Sequence, residues 1–318
     1  MKILNIEPEN YSDKAGAILR TVGLYKAVSS DREELLKLIP EYEVLITRLG
    51  FQIDREVFNA ASRLKVVASA TTGLDHFDLE CANELGIEVI SLKGMIDFLR
   101  TIPATAEHTW ALLMSLMRRI PWAYDSVRQG EWIRDNYRGR DLRGKRLGIL
   151  GLGRVGEKVA SYGLAFGMEI MAYDPYRVDV WPPGVQEIKD LKKLMSQTDI
   201  LSIHVPLNDQ TQNLVGKQHL ELLPDGAVVI NTSRGRVMDE SALVSALLAG
   251  TISGAAIDVL YEERVENTRL TQCTLEYARS HHNLLITPHI AGATVESMHA
   301  TEEFIATKIR DWIDKNTR

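Results

Sequence analysis

The sequence predicts an α/β protein of two doubly wound parallel-sheet domains, and three observations predict it. The chain has 318 residues, more than one hydrophobic core usually serves, so two domains of roughly 100–200 residues each are expected. Short β-branched or leucine-rich runs alternate with longer amphipathic segments from end to end, the pattern of βαβ units. A glycine-rich turn also lies between a strand-like and a helix-like run near the middle of the chain, at Gly151, Gly153 and Gly156.

Taken in order, the first third reads as strands over residues 2–6, 44–47, 65–69 and 87–90, with helices over 54–61 and 78–85. A long helical pattern over 104–119 follows Pro103, where proline suits a helix start, and stops before Pro121. It is expected to link the domains. After the polar stretch 136–145, a second series places strands at 146–150, 169–173, 200–205, 227–231 and 254–259, with helices in the gaps. The last pattern, 296–315, is a helix whose Phe304, Ile305, Ile309 and Trp312 recur at helical spacing and read as core contacts.

Composition narrows the function classes. The chain is 45% hydrophobic, 25% charged and 7% aromatic, inside the globular range. Its net charge is −6 and no lysine/arginine block is dense enough for a nucleic-acid or membrane-surface footprint. Cys81 and Cys273 are too few for a metal knuckle or a disulfide framework, and His281-His282 has no partner at ligand spacing, so no metal is expected. The start carries no signal-peptide pattern, and apolar stretches such as 110–114 fall short of the ~20 residues of a membrane span. A cytoplasmic protein is the expectation.

The strand 146–150 runs directly into Gly151-Leu152-Gly153-Arg154-Val155-Gly156 and then a helix. Glycine serves a tight turn, close approach of the backbone to a pyrophosphate, and helix–strand packing, while the helix N-terminus favours the phosphate charge. The next strand, 169–173, ends in Asp174, about 20 residues on, where a carboxylate can accept from ribose hydroxyls. It would repel a 2′-phosphate, and Pro175 and Tyr176 rather than an arginine follow it. NAD is therefore expected over NADP.

Three further strand ends carry ionisable residues: Arg234 after 228–233, Glu263 beyond 254–258, and His289 after 284–288. Ligands of open parallel sheets bind at strand C-termini. Arginine can fork onto a carboxylate and polarise a carbonyl, histidine can move a proton near neutral pH, and a carboxylate can orient the ring. Together they describe proton transfer coupled to hydride transfer at a 2-keto or 2-hydroxy acid.

These residues lie in motifs that resemble the D-isomer-specific 2-hydroxyacid dehydrogenase family across nearly the whole chain: Thr72-Gly73-Leu74-Asp75, Ala106-Glu107-His108, the glycine turn, His204-Val205-Pro206-Leu207, Ile230 to Gly235, Ala256 to Val259, and Pro288 to Ala293. The resemblance implies a Rossmann NAD-binding domain, 101–285, inserted into a flavodoxin-like substrate domain made of 1–100 and 286–318, with a cleft between them. It implies that Arg234 binds the carboxylate and carbonyl, His289 is the acid/base, and Glu263 pairs with His289. The Thr72 and Gly73 amides would hold the carboxylate, Asp258 would contact the nicotinamide carboxamide, and His204, Val205, Pro206 and Thr232 would line the cofactor pocket. A homodimer through the cofactor domain is also implied.

The chain departs from the family pattern in places. Many members have proline after the Glu263 position, where this chain has Arg264, so Glu262 stands as a rival for the pairing. Arg48 matches an arginine that phosphoglycerate dehydrogenases use near the substrate phosphate, yet Ser69 and Leu49 replace other elements of that pattern. His76 and His108 read as a turn residue and a helix-face residue. The leading reading is an NAD-dependent dehydrogenase of a small D-2-hydroxy acid. The alternatives are a non-enzymatic, NAD-sensing corepressor-like protein and a dehydrogenase of a small inorganic or one-carbon donor, against which Glu263 stands where formate enzymes carry glutamine.

Overall fold

A computed structural model describes residues 1–263 and 269–316. They form two compact units, Met1–Ile102 with Thr294–Arg318, and Pro103–Ala293.

The first unit holds β1 (Lys2–Asn5), β2 (Leu24–Ala27), β3 (Val44–Thr47), β4 (Val66–Ser69) and β5 (Glu88–Ile90), all parallel, in the order β2-β1-β3-β4-β5. That is the flavodoxin-like order. Successive strand residues point to opposite faces, so Leu4, Leu45 and Val67 pack into one layer while Ile3, Val44, Ile46 and Val66 pack into the other. The second layer is closed by Ile305, Ile309 and Ile313 of the C-terminal helix Val295–Asn316. Phe304 and Trp312 are only partly buried there: Phe304 stacks on Phe98 with centroids 4.0 Å apart, and Trp312 Nε1 donates to Glu88.

The second unit holds β6 (Arg146–Leu150), β7 (Glu169–Tyr173), β8 (Val185–Glu187), β9 (Ile200–Ile203), β10 (Val228–Asn231), β11 (Gly254–Ile257) and β12 (Leu284–Ile286). Their order is β12-β11-β10-β9-β6-β7-β8, again all parallel. Read from β6 this is the Rossmann strand order with one strand added, and its direction reverses between β6 and β9. Apolar layers cover both faces: Leu201, Val229 and Ala255 on one, Leu147, Ile149, Val228 and Ile230 on the other.

Two strands were not anticipated, β2 and β8. Both are sheet edges with little burial, Leu24 being 73% exposed, so neither shows the apolar run of a central strand. The helix expected over 104–119 ends at Met117; Arg119 turns at φ 56° and Pro121 sits in the first turn of a new helix, Ile120–Arg128. The proline thus starts a helix, where its missing N–H costs nothing. The chain's return to the first unit falls at Thr294 rather than at 286, because β12 pairs with β11 and the turn after it bonds back to Asp258.

Candidate active site

The reversal between β6 and β9 opens a crevice at the strand C-termini, and the glycine-rich turn follows β6 there. Gly151 adopts φ +91°, and a Cβ on it would lie 2.7 Å from the His204 carbonyl oxygen, so this glycine lets the β6 and β9 loops touch. A Cβ on Gly156 would lie 2.2 Å from the Gly151 carbonyl, which packs the helix Arg154–Ala165 against the strand end. Gly153 differs: a Cβ there would meet no described atom within 4 Å. Among the described residues nothing crowds that glycine, and its open side would suit close approach of a pyrophosphate to the helix N-terminus. By this test the turn fits a dinucleotide.

Leu152, inside the turn, is held from both sides. Its N–H donates to Asp174 Oδ2 at 2.9 Å, and its carbonyl accepts from Arg177 Nη1 at 2.7 Å. Arg177 is itself fixed by Glu157 Oε1 at 2.7 Å and by the Val180 carbonyl at 2.7 Å. The arginine three residues past Asp174 is therefore committed to the turn. Across the crevice, Ser202 Oγ pairs with His204 Nε2 at 2.7 Å, and desolvation pushes the His204 imidazole down to about 3, so it stays neutral. Pro206 accepts from Thr211 Oγ1 at 2.6 Å, and Val205 packs against the core. Thr232, 6% exposed, shares a 2.8 Å hydroxyl bond with Thr109 of the helix Ala104–Met117.

The ends of β10, β11 and β12 are adjacent because the strands are paired in that order. Asp258, just past β11, is nearly inaccessible and gathers the turn after β12. Its Oδ1 accepts from Thr287 Oγ1 at 2.5 Å and Ile290 N–H at 2.9 Å, its Oδ2 from Ala291 N–H at 2.7 Å, and its carbonyl from His289 N–H at 2.9 Å. His108 Nε2 lies 3.0 Å from Thr287 Oγ1 and 3.4 Å from Asp258 Oδ1. Burial opposes ionisation of Asp258, but the bonds from His108, Thr287, Ile290 and Ala291 together hold it below the usual carboxylate range. They also hold His289 at φ +54°, a left-handed conformation that costs a side-chain-bearing residue roughly 1–2 kcal/mol.

In that conformation His289 Nδ1 meets Glu263 Oε2 at 2.6 Å, while Glu263 Oε1 accepts the Leu260 N–H at 3.0 Å. The residue at the imidazole is thus Glu263, not Glu262. Residues 264–268, where the departure from the family pattern begins, lie outside the described residues. Arg234, past β10, is partly buried, and its Nη1 donates to the Ser233 carbonyl at 2.8 Å.

In the first unit, Thr71 Oγ1 donates to the Gly73 carbonyl at 2.9 Å and pairs with Ser69 Oγ at 3.0 Å, which shapes the turn holding Thr72 and Gly73. Arg48 is engaged within the first unit. Its guanidinium bonds the carboxylate of Glu302, which is 1% exposed, and the Glu9 carbonyl, and it lies over the Tyr11 ring at 5.7 Å. Those bonds fasten the C-terminal helix to the N-terminal strand ends, and the substrate role expected of Arg48 remains a proposal to test.

Sequence reasoning missed His108 as a partner of Asp258 and Thr287. Its signal was the Ala106-Glu107-His108 motif, but no local spacing rule connects that helix to a strand end so far along the chain. The Arg177–Glu157 pair was missed for the same reason.

Residues 110–291, more than half of the chain, match the family model described as D-isomer specific 2-hydroxyacid dehydrogenase, NAD binding domain. A D-3-phosphoglycerate dehydrogenase of Archaeoglobus fulgidus is 37% identical over 313 residues, covering 97% of this chain and 56% of that protein. The chain therefore spans a little over half the length of that relative. A glyoxylate reductase of Aeropyrum pernix is 40% identical over 288 residues, covering 86% of this chain and 82% of its own. Among solved structures, a D-lactate dehydrogenase of Aquifex aeolicus complexed with NAD and lactic acid superposes with a TM-score of 0.86 at 27% identity, covering 100% of this chain and 96% of that one. The chain belongs to the D-isomer-specific 2-hydroxyacid dehydrogenase family, and its second unit is that family's NAD-binding domain.

Proposed function

We propose that this protein is an NAD-dependent oxidoreductase that interconverts a small D-2-hydroxy acid and its 2-keto acid. The observation that carries this reading is the 2.6 Å His289–Glu263 pair at the strand ends of the sheet that bears the glycine-rich turn. Bound NADH would supply the hydride. His289 donates a proton to the carbonyl oxygen of the keto acid in reduction and takes it back from the hydroxyl in oxidation, with Glu263 orienting the ring. Arg234 holds the substrate carboxylate through paired N–H donors and polarises the adjacent carbonyl.

The cofactor reading assigns Gly151, Gly153, Arg154, Val155 and Gly156 to the pyrophosphate, Asp174 to the adenosine ribose, and His204, Val205, Pro206 and Thr232 to the pocket wall. Asp258 is assigned to the nicotinamide carboxamide as well as to the His289 turn. NAD is favoured over NADP because Asp174 presents a carboxylate and the nearby Arg177 is already neutralised by Glu157. Met1–Ile102 with Thr294–Arg318 is read as the substrate domain, with the Thr72 and Gly73 amides as donors to a carboxylate. The non-enzymatic, corepressor-like alternative gains no support from the three relatives described above, each of which is named as an enzyme.

A second copy of the chain is the partner proposed for the face around the helix Ile120–Arg128, where Tyr124 is 63%, Trp132 87% and Ile133 51% exposed. Sedimentation at micromolar concentration should give a dimer; a monomer that persists there removes this part of the reading. A cytoplasmic setting also stays in the proposal, supported by two cysteines that are both free thiols. Among the described residues no helix is long and apolar enough to cross a membrane.

The test of the activity is oxidation of NADH followed with glyoxylate, hydroxypyruvate, pyruvate, 2-oxoglutarate and phosphohydroxypyruvate. One or more of the small unphosphorylated keto acids should be turned over, and the set that works defines the side-chain pocket. Absence of NADH consumption with every keto acid would sink the proposal.

A further inference from the structure

Glu240 is the first residue of the helix Glu240–Ala249, whose N-terminus is already capped by Asp239. Its side chain turns inward and is 3% exposed, an expensive place for a carboxyl group that packing alone does not require. One oxygen accepts the Tyr261 N–H, and the other accepts Thr274 Oγ1 at 3.1 Å from the helix Arg269–Ser280.

The Tyr261 N–H belongs to the peptide that joins Leu260 to Tyr261, and the chain segment after Arg234 grips that peptide elsewhere too. A Cβ on Gly235 would lie 1.9 Å from the Leu260 carbonyl oxygen and 2.6 Å from Tyr261 N, so the peptide rests directly on the glycine. Arg236 Nε donates to the Tyr261 carbonyl at 3.3 Å, and its guanidinium lies 5.4 Å from the Tyr261 ring centroid. The Leu260 N–H, which belongs to the preceding peptide, donates to Glu263 Oε1, which leaves Oε2 for His289.

We propose that Glu240 is a positioning residue: its buried carboxyl group fixes the Leu260–Tyr261 peptide and through it Leu260, whose own N–H, in the adjoining peptide, aims Glu263 at His289. The inference rests on the acid/base reading of His289 and Glu263. Burial raises the Glu240 carboxyl above its ordinary range, with Glu263 and Glu262 adding to it against the Tyr261 and Thr274 donors. In either protonation state a lone pair remains for the Tyr261 N–H, so the anchor holds across the working pH. Among the described residues, the charges of Glu263 and Glu262 act on it.

The test compares Glu240→Gln, Glu240→Ala and Glu263→Gln in the full chain, with NADH and the keto acid that is best turned over. Glu240→Ala should lower kcat about tenfold with KM within about twofold, and should move the pH profile of kcat in the direction Glu263→Gln moves it. Glu240→Gln keeps an amide oxygen for the Tyr261 N–H and should recover kcat to within about threefold of the parent. NADH affinity, read by fluorescence titration, should be unchanged in both. A parent-like kcat and pH profile in Glu240→Ala, or a Gln variant as impaired as Ala, overturns the proposal. Where Ala fails to fold, Glu240→Met, which fills a similar volume without an acceptor oxygen, makes the same comparison. An unchanged pH profile in Glu263→Gln instead removes the acid/base reading, and this inference with it.

Discussion

Arg48 follows β3 directly in one unit, and Arg234 comes three residues after β10 in the other; both strands are fully buried and parallel. By strand-end logic the two arginines are equivalent, yet the uses proposed for them differ. The first is sealed by Glu302, supplied by a helix that returns from the far end of the chain, and the neighbouring Gly50 is filled in the same way, since a Cβ on it would lie 2.7 Å from Glu7 Oε1. In the second unit the strand ends converge on His289 and Glu263, and Gly153 faces no described atom. On the proposed reading, the rule that ligands bind at strand C-termini applies to the second unit, while in the first a returning helix occupies the edge at Arg48.

The largest effect that can break this comparison is expected at His289. His289→Asn removes the proton donor while keeping a residue tolerant of the left-handed backbone, and should lower kcat about 10²–10⁴-fold with NADH affinity nearly unchanged. Stopped-flow or steady-state turnover with a fluorescence titration of NADH separates the two quantities. Turnover within a few-fold of the parent would mean that these strand ends are no more catalytic than those of the first unit.

Next in size is the tie in the first unit. Glu302→Ala leaves the partly buried Arg48 guanidinium without its buried carboxylate partner and strips an acceptor from the Ser12 N–H, so it should cost about 3–5 kcal/mol, read as a lowered unfolding midpoint. The double variant Arg48→Met with Glu302→Met replaces the pair by apolar volume and should recover much of that loss, with KM for the keto acid within about twofold. If instead the double variant is stable but raises KM about tenfold or more, Arg48 belongs with Arg234 and the contrast fails.

The same contrast explains what the sequence made legible. β3, β4, β9, β10 and β11 are buried along their whole length, so each appears as a continuous apolar run. The edges β2 and β8 carry no such run and were invisible. The glycine turn, Asp174, Arg234 and His289 were legible because each lies next to a recognisable strand in sequence. The Glu302–Arg48, Glu240–Tyr261 and His108–Asp258 contacts were not, because each joins segments that only the finished topology brings together.

The smallest effect on stability sharpens the contrast most finely, and it lies in the glycine turn. Gly156→Ala would place a Cβ 2.2 Å from a backbone oxygen that cannot give way, so it should destabilise the second unit by about 1–3 kcal/mol or more. Gly153→Ala meets nothing within 4 Å, and its φ of −83° is open to any residue, so the unfolding midpoint should hold or rise slightly. The added methyl projects where the pyrophosphate must approach, however, and NADH affinity should fall about tenfold by fluorescence titration. A glycine needed for folding loses stability first, whereas one kept for a ligand loses affinity alone. Unchanged affinity in Gly153→Ala would show that the open space at the second unit's strand end is not where the dinucleotide lies.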